Sequence, residues 1–369
     1  MKLYIIMLEA EPSRGRMKRV LEEALSGSCF PENTEICIIK ETDEFFQLST
    51  QGKIKNSCII FAIELNNSGM NIEAYRLLGY LQNPSGGKIL SGCIGGLVVD
   101  GAGSLYTKDM AVRTVFAANT AGCTFPGKPL TEATGDLSNL KVLSAVWQLD
   151  PEKAYVKSCR LLMEKVICFT MPQEKNPEIL AIHAGNRKTS NSLSLWEMTA
   201  GNIAGKAAIE EISIRNGEIW DCRGCKYEAC LHFGENAGCF YGGVMVEKVY
   251  PAILKSNILV LICPNYNDAV SANIMAFINR LTALFRTHDF SRKRVYAIVV
   301  SGYSGGDILE RQIIGSLNMN KSFILPGNFS MSETANNPGS IMEIQDIHKK
   351  TTDFAAHISF CMGLKQSLE

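Results

Sequence analysis

Short apolar runs alternate with amphipathic stretches along the whole chain. The first half carries YIIML, ICIIK, CIIFAI and GGLVV, and the second ILAIH, IEEISI, ILVLIC and YAIVV. A continuous apolar run of this length predicts a strand buried on both faces, and the amphipathic segments between them predict crossover helices. Each half is therefore expected to be an α/β three-layer (αβα) sandwich on a parallel sheet, with ligands bound beyond the carboxyl ends of the strands.

The two halves also resemble each other. SNILVLICPNYNDAVSANIMAFINRLTAL (256–284) aligns with SCIIFAIELNNSGMNIEAYRLLGYL (57–81) once about three loop residues are removed. The segment 294–327 matches 92–127 in strand, glycine, helix and Pro-Gly order, and 178–198 pairs with 2–25. Each copy closes with a helix, at 151–166 and 346–364. A tandem duplication follows, with one domain over 1–172 and a second over 173–369, since Met171-Pro172 and Asn176-Pro177 interrupt regular structure between them.

Composition narrows the chemistry. The chain has 369 residues, is 46% hydrophobic and 20% charged, and its 37 Lys+Arg equal its 37 Asp+Glu. That is enough chain for two cores and no electrostatic footprint for nucleic acid. The apolar stretch at the amino terminus is too short for a signal-peptide core, and no apolar run approaches the roughly 18 residues of a membrane span. A cytoplasmic protein without membrane partners is expected, and in that compartment clustered cysteines point to metal or catalysis before disulfides.

Three loops of the second copy suit a planar, phosphorylated ligand. HAGNRKTSNS (183–192) runs into a helix starting near Ser192, so backbone N–H groups can wrap a phosphate while Arg187 and Lys188 add positive charge. In the second loop Pro264 stiffens the turn, Tyr266 offers a flat face, and Asn265 and Asn267 offer amides to a heteroaromatic edge. SGYSGGD (301–307) supplies glycines that let the backbone approach a ring.

These residues resemble the NADPH-dependent FMN reductase family of the flavodoxin-like superfamily, including its iron-sulfur flavoprotein branch. Ala184-Gly185-Asn186-Arg187-Lys188-Thr189-Ser190-Asn191-Ser192 looks like the family's phosphate loop, although Gly185, His183 and Ala184 depart from its usual entry. Pro264-Asn265-Tyr266, Ser271-Ala272 and Phe277-Ile278-Asn279-Arg280 look like its Pro-x-Tyr loop and following helix, and Gly302 to Gly306 like its Gly-rich third loop. The resemblance, over about 176–330, implies two flavodoxin-like sandwiches and an NAD(P)H-dependent oxidoreductase. It places FMN on Arg187, Lys188, Thr189, Ser190, Asn191, Ser192, Pro264, Asn265, Tyr266, Asn267, Gly302, Tyr303, Ser304 and Gly305. No side-chain general acid or base is implied, because the flavin carries the chemistry. Electrons would pass from a nicotinamide to a small acceptor such as a quinone, free flavin, metal ion or nitroaromatic.

The first copy lacks the Asn-Ser ending in AEPSRGRM (10–17) and lacks Pro and Tyr in LNNSGMN (65–71), so it reads as degenerate. The family resemblance implies dimers with flavins near the subunit interface. The fused copy is thus expected to act as a built-in second subunit, and a homo-oligomer is compatible with this.

Four of the thirteen cysteines, Cys222, Cys225, Cys230 and Cys239, fall within nineteen residues. The iron-sulfur branch resembles this segment, but its second gap is two residues shorter. A 4Fe-4S cluster, a four-thiolate zinc site and free thiols all remain open. With a cluster, a ferredoxin becomes a plausible electron donor. The other nine cysteines read as small buried hydrophobes. Two rival readings stand beside the flavoprotein one. Gly302-Tyr303-Ser304-Gly305-Gly306 fits a hydrolase nucleophile elbow, with Asp346 and His348 or His357 to complete a triad. A binding module without turnover is the other.

Overall fold

The computed structural model describes residues 1–83, 87–215 and 219–363. The end of the expected closing helix, Leu364, and the tail of the expected second domain to 369 lie outside the described residues. The chain divides into two compact units, one of Met1–Thr170 with Pro326–Asn328, the other of Met171–Leu325 with Phe329–Glu369.

The first unit holds β1 (Lys2–Leu8), α1 (Arg16–Ser26), β2 (Glu35–Ile39), α2 (Thr42–Thr50), β3 (Cys58–Leu65) and α3 (Ile72–Leu81). It continues through β4 (Ile94–Gly101), α4 (Thr107–Thr120), β5 (Leu130–Ala133), α5 (Lys141–Trp147) and α6 (Pro151–Ile167). The second holds β6 (Glu178–His183), α7 (Asn191–Ile203), β7 (Ala208–Ser213), α8 (Tyr227–Glu235), α9 (Tyr250–Lys255) and β8 (Ile258–Asn265). It ends with α10 (Ala272–Phe285), β9 (Arg294–Ser301), α11 (Gly306–Ile313), β10 (Ser330–Thr334) and α12 (Ile347–Cys361).

Each unit is an all-parallel five-stranded sheet with the same order, β2-β1-β3-β4-β5 in one and β7-β6-β8-β9-β10 in the other. These are two flavodoxin-like αβα sandwiches, and the repeat is present at the level of topology. The central strands are buried along nearly their whole length because helices cover both faces. In the first unit α1 and α6 pack over Leu3, Ile5, Met7, Ile60 and Val98, while Tyr4, Ile6, Ile59 and Phe61 are buried on the other face. In the second, α7 and α12 cover Ile179, Ala181, Val260, Ile298 and Val300.

Two strands escaped the apolar pattern. β5 (LTEA) and β10 (SMSET) are short edge strands whose alternate residues are partly exposed, so neither forms a continuous apolar run. Pro264 is a second difference, since it lies buried inside β8 rather than in the turn. β6 stops pairing opposite Ile262, so beyond it β8 pairs only with β9 and a missing N–H is tolerated there.

Candidate functional site

At the carboxyl ends of β6, β8, β9 and β10 four connecting segments are tied into one platform. Ser190 is the N-cap of α7, its side chain accepting the Leu193 N–H, and its hydroxyl lies 2.9 Å from that of Ser192. The Asn186 carbonyl accepts from the amides of Thr189 and Ser190, and its side-chain oxygen from that of Lys188. The N–H groups of Asn191 and Ser192, in the first turn, have no intrahelical acceptor and form the anion-binding end of the helix. Among the described residues the Lys188 ammonium and the Thr189 hydroxyl have no hydrogen-bond or ion-pair partner within the protein.

Several expected ligand residues are spent on the platform itself. Asn191 donates to the carbonyls of Ala335 (3.1 Å) and Asn337 (2.8 Å) and accepts from the Gly339 amide (2.9 Å). It thereby holds the segment after β10, which the sequence motifs do not mark. Asn265 donates to Asp268 Oδ1, Ser301 Oγ and the Ser304 carbonyl, and accepts from the Asp268 amide, locking the second loop to the third. Asn336 Nδ2 donates to the Tyr303 hydroxyl at 3.2 Å. Gly305 has φ +83°, and a Cβ there would collide with Asp268. Glycine is required at that position by both conformation and space.

Arg187 turns to carboxylates rather than to the helix start. It bonds Glu197 Oε1 at 3.0 Å and also Glu211 Oε1. Glu211, on β7, further accepts from Trp196 Nε1 (3.2 Å) and faces His183 Nε2 at 3.1 Å. Burial lowers the His183 pKa against the opposing pull of Glu211, and its buried Nδ1 has no partner. His183 ends β6, whereas Glu211 lies within β7 and carries no motif signal.

What remains open toward solvent is aromatic. Tyr266 and Tyr303 are 71% and 82% exposed, and Asn267 is exposed beside Tyr266. Two ring faces, a helix start and close-approach glycines thus share one edge of the sheet. A groove of about 610 Å³ lies elsewhere, along β7 and α9 between Glu210, Ser213, Glu247, Lys248 and Lys255. Among the described residues no hydrogen bond joins Ser304 to His348 or His357.

The cysteine segment is a separate structure packed against α10. Gly234 of α8 sits so close to the Ala283 carbonyl that a Cβ would clash, and Thr287 Oγ1 donates to the Gly234 carbonyl at 2.7 Å. Asn279 Nδ2 donates to Asp221 Oδ1 (3.0 Å), next to Cys222, and the buried Arg280 donates to the Gly242 carbonyl (2.8 Å). The Phe-Ile-Asn-Arg stretch therefore anchors both ends of this segment. All four cysteines line one cavity of about 110 Å³, together with Arg223, Arg280 and Arg286. Among the described residues no three His, Cys, Asp or Glu side chains stand close enough to hold a metal.

All thirteen cysteines are free. Of the other nine, Cys58, Cys93, Cys123, Cys159 and Cys263 are buried as expected, and burial pushes Cys263 up to about 12. Cys29 and Cys168 are exposed and Cys37 and Cys361 half-buried, so the reading as core hydrophobes fails for these four. Cys29 lies in the loop after α1, Cys37 in the edge strand β2, and Cys168 and Cys361 at the ends of α6 and α12, where a local apolar neighbourhood in sequence does not bring burial. Among the described residues no helix is long and apolar enough to cross a membrane.

Comparison with solved structures gives low-identity matches. An azoreductase from Bacillus anthracis is 12% identical, covering 50% of this chain and 98% of its own, with a TM-score of 0.34. An NAD(P)H:quinone oxidoreductase from Methanothermobacter marburgensis is 12% identical, covering 53% and 98%, with a TM-score of 0.37. The Trp repressor binding protein from Bacillus subtilis is 19% identical, covering 47% and 95%, with a TM-score of 0.31. No curated protein matches the chain. Residues 177–337 match the family model described as NADPH-dependent FMN reductase.

Proposed function

We propose that the second unit binds FMN on the platform at the carboxyl ends of β6, β8 and β9, takes reducing equivalents from NAD(P)H and passes them to a small acceptor such as a quinone or flavin. The observation that carries this is the pairing of an anion-binding helix start with two solvent-facing tyrosines on one tied platform, within the segment 177–337. The start of α7 fits the group, since the amides of Asn191 and Ser192 are free to face a phosphate.

When bound, FMN supplies the redox centre that accepts hydride and releases electrons. The chain's own residues hold and orient it. Thr189, Ser190, Ser192 and Lys188 would meet the phosphate, with the first-turn amides of α7 supplying N–H donors. Tyr266, Asn267 and Tyr303 would border the ring, and Gly302 and Gly305, whose missing side chains leave room for Asn336 and Asp268, would keep the third loop in shape. Asn191 and Asn265 act as positioning residues, since their amides already join the loops. Arg187 is held by Glu197 and Glu211 and would serve the loop's shape before the phosphate's charge.

The test is anaerobic reduction of FMN-loaded protein by NADPH and by NADH, followed by addition of quinone or flavin. Bleaching of the flavin band and its return supports the reading. A loaded protein that neither nicotinamide reduces contradicts it.

A second reading concerns the cysteine cavity. Cys222, Cys225, Cys230 and Cys239 share one cavity, and an iron-sulfur cluster or zinc there would require them to stand closer together than they do in this structure. A ferredoxin-type donor belongs to that reading. Iron, acid-labile sulfide and zinc analysis of anaerobically purified protein distinguishes cluster, zinc and free thiols.

A further inference from the structure

The first unit keeps the architecture of a phosphate seat but fills it from within. Its loop between β1 and α1 corresponds to the one between β6 and α7, and two carboxylates point into it from the neighbouring strands. Glu64 is the seventh residue of the eight-residue β3, and Asp100 the seventh of the eight-residue β4. The seventh residues of β8 and β9 are Pro264 and Val300, paired in the same register. Two apolar positions of one unit are thus carboxyl positions in the other.

We propose that Glu64 is the resident anion of the first unit's phosphate seat, so that this unit takes no phosphorylated ligand. The side chain is 1% exposed, and its donors are those a phosphate would need. The amides of Ala10 (3.2 Å) and Arg14 (2.9 Å), the Ser13 hydroxyl (2.7 Å) and Arg14 Nε (3.5 Å) all converge on its two oxygens. Asp100, fully buried, then takes Arg14 Nη2 and Arg16 Nη2, each at 2.6 Å, and Arg16 Nε at 3.1 Å. Arg16 extends the lacing to the carbonyls of Thr134 (3.0 Å) and Gly135 (2.8 Å) beyond β5. Asn71 fixes the loop's near end, donating to the carbonyls of Leu8, Glu9 and Glu64. Two carboxylates and two guanidiniums make a neutral, closed cluster, and an entering phosphate would have to displace Glu64 and leave it buried without donors.

This assignment concerns the first unit alone and holds whether or not the second binds FMN. The test uses the full chain saturated with FMN, with thermal midpoints measured in inorganic phosphate and in chloride at matched ionic strength. The wild type is expected to have the same midpoint in both. Glu64→Ala is expected to melt lower in chloride and to regain about 3 °C or more in phosphate, because the vacated seat binds the anion only in the folded state. Glu64→Gln fills the same space without charge, and is expected to melt lower in chloride and gain nothing from phosphate. Should Glu64→Ala precipitate in chloride, refolding in phosphate alone is the expected rescue. A phosphate response in Glu64→Ala no larger than that of the wild type, an equal gain in Glu64→Gln, or precipitation in both anions would overturn the proposal. Because each readout is a difference from the wild type, a failure of FMN binding in the second unit shifts all three proteins alike and leaves those differences intact.

Discussion

Tyr266 and Tyr303 expose most of their rings although each lies one or two residues from a buried strand end. Removing an exposed ring costs the apo protein little, while the ligand that stacks on it loses an aromatic contact of about 0.5–1.5 kcal/mol. Tyr266→Ala is therefore expected to weaken FMN binding by about two- to tenfold in Kd and to leave the apo thermal midpoint unchanged, as titration and melting together would check. Glu310 is a different case. Burial raises its pKa to about 7, with Ser330 Oγ bonded to it opposing the shift and Asp307 adding to it. The folded state therefore keeps the proton where the unfolded chain has lost it. Stability from this group is fully present below pH 4.5 and falls as pH rises toward 7, by on the order of 2–3 kcal/mol. Glu310→Gln is expected to match the wild type near pH 4 and to melt higher at pH 8; equal decline in both proteins over that range would refute the assignment.

Among elements, the central strands were legible because burial on both faces demands continuous apolar runs, as in CIIFAI and ILVLIC. β5 and β10 were not, being short edges whose stability comes from one neighbour and not from their own pattern. The start of α7 was legible through Ser190 and Asn191, but the work Asn191 does was not, because its partners at 335, 337 and 339 are more than 140 residues away. The same holds for Asn265, whose amide reads as a ligand group in sequence and as a tie between loops in space. Glu64 and Asp100 did leave a signal, a charged residue at the end of an apolar strand run in FAIEL and VVDG, though not its meaning. α8 depends on one glycine. Gly234→Ala is expected to push the helix away from Ala283, raising the reaction rate of Cys222, Cys225, Cys230 and Cys239 with a thiol reagent several-fold while the unit's core stays folded. Unchanged thiol reactivity with an unchanged melting curve would show that the close approach tolerates a methyl group.

The molecule uses one topology twice with opposite treatment of the strand ends. In the second unit the seventh residues of β8 and β9, Pro264 and Val300, are apolar, and the loops above them present amides and tyrosines to solvent. In the first, the corresponding ends carry carboxylates that consume the loop's donors. The proposed FMN site would on that contrast be one per chain and depend on the second unit's loops. The direct measurement is equilibrium titration of the full-length apoprotein with FMN, read by flavin fluorescence and absorbance, for the wild type and for a Ser190/Asn191/Ser192 triple alanine variant. The account predicts one FMN per wild-type chain, and a large loss of affinity in a triple variant that still folds. No binding, two equivalents per chain, or undiminished binding by the folded variant would contradict it.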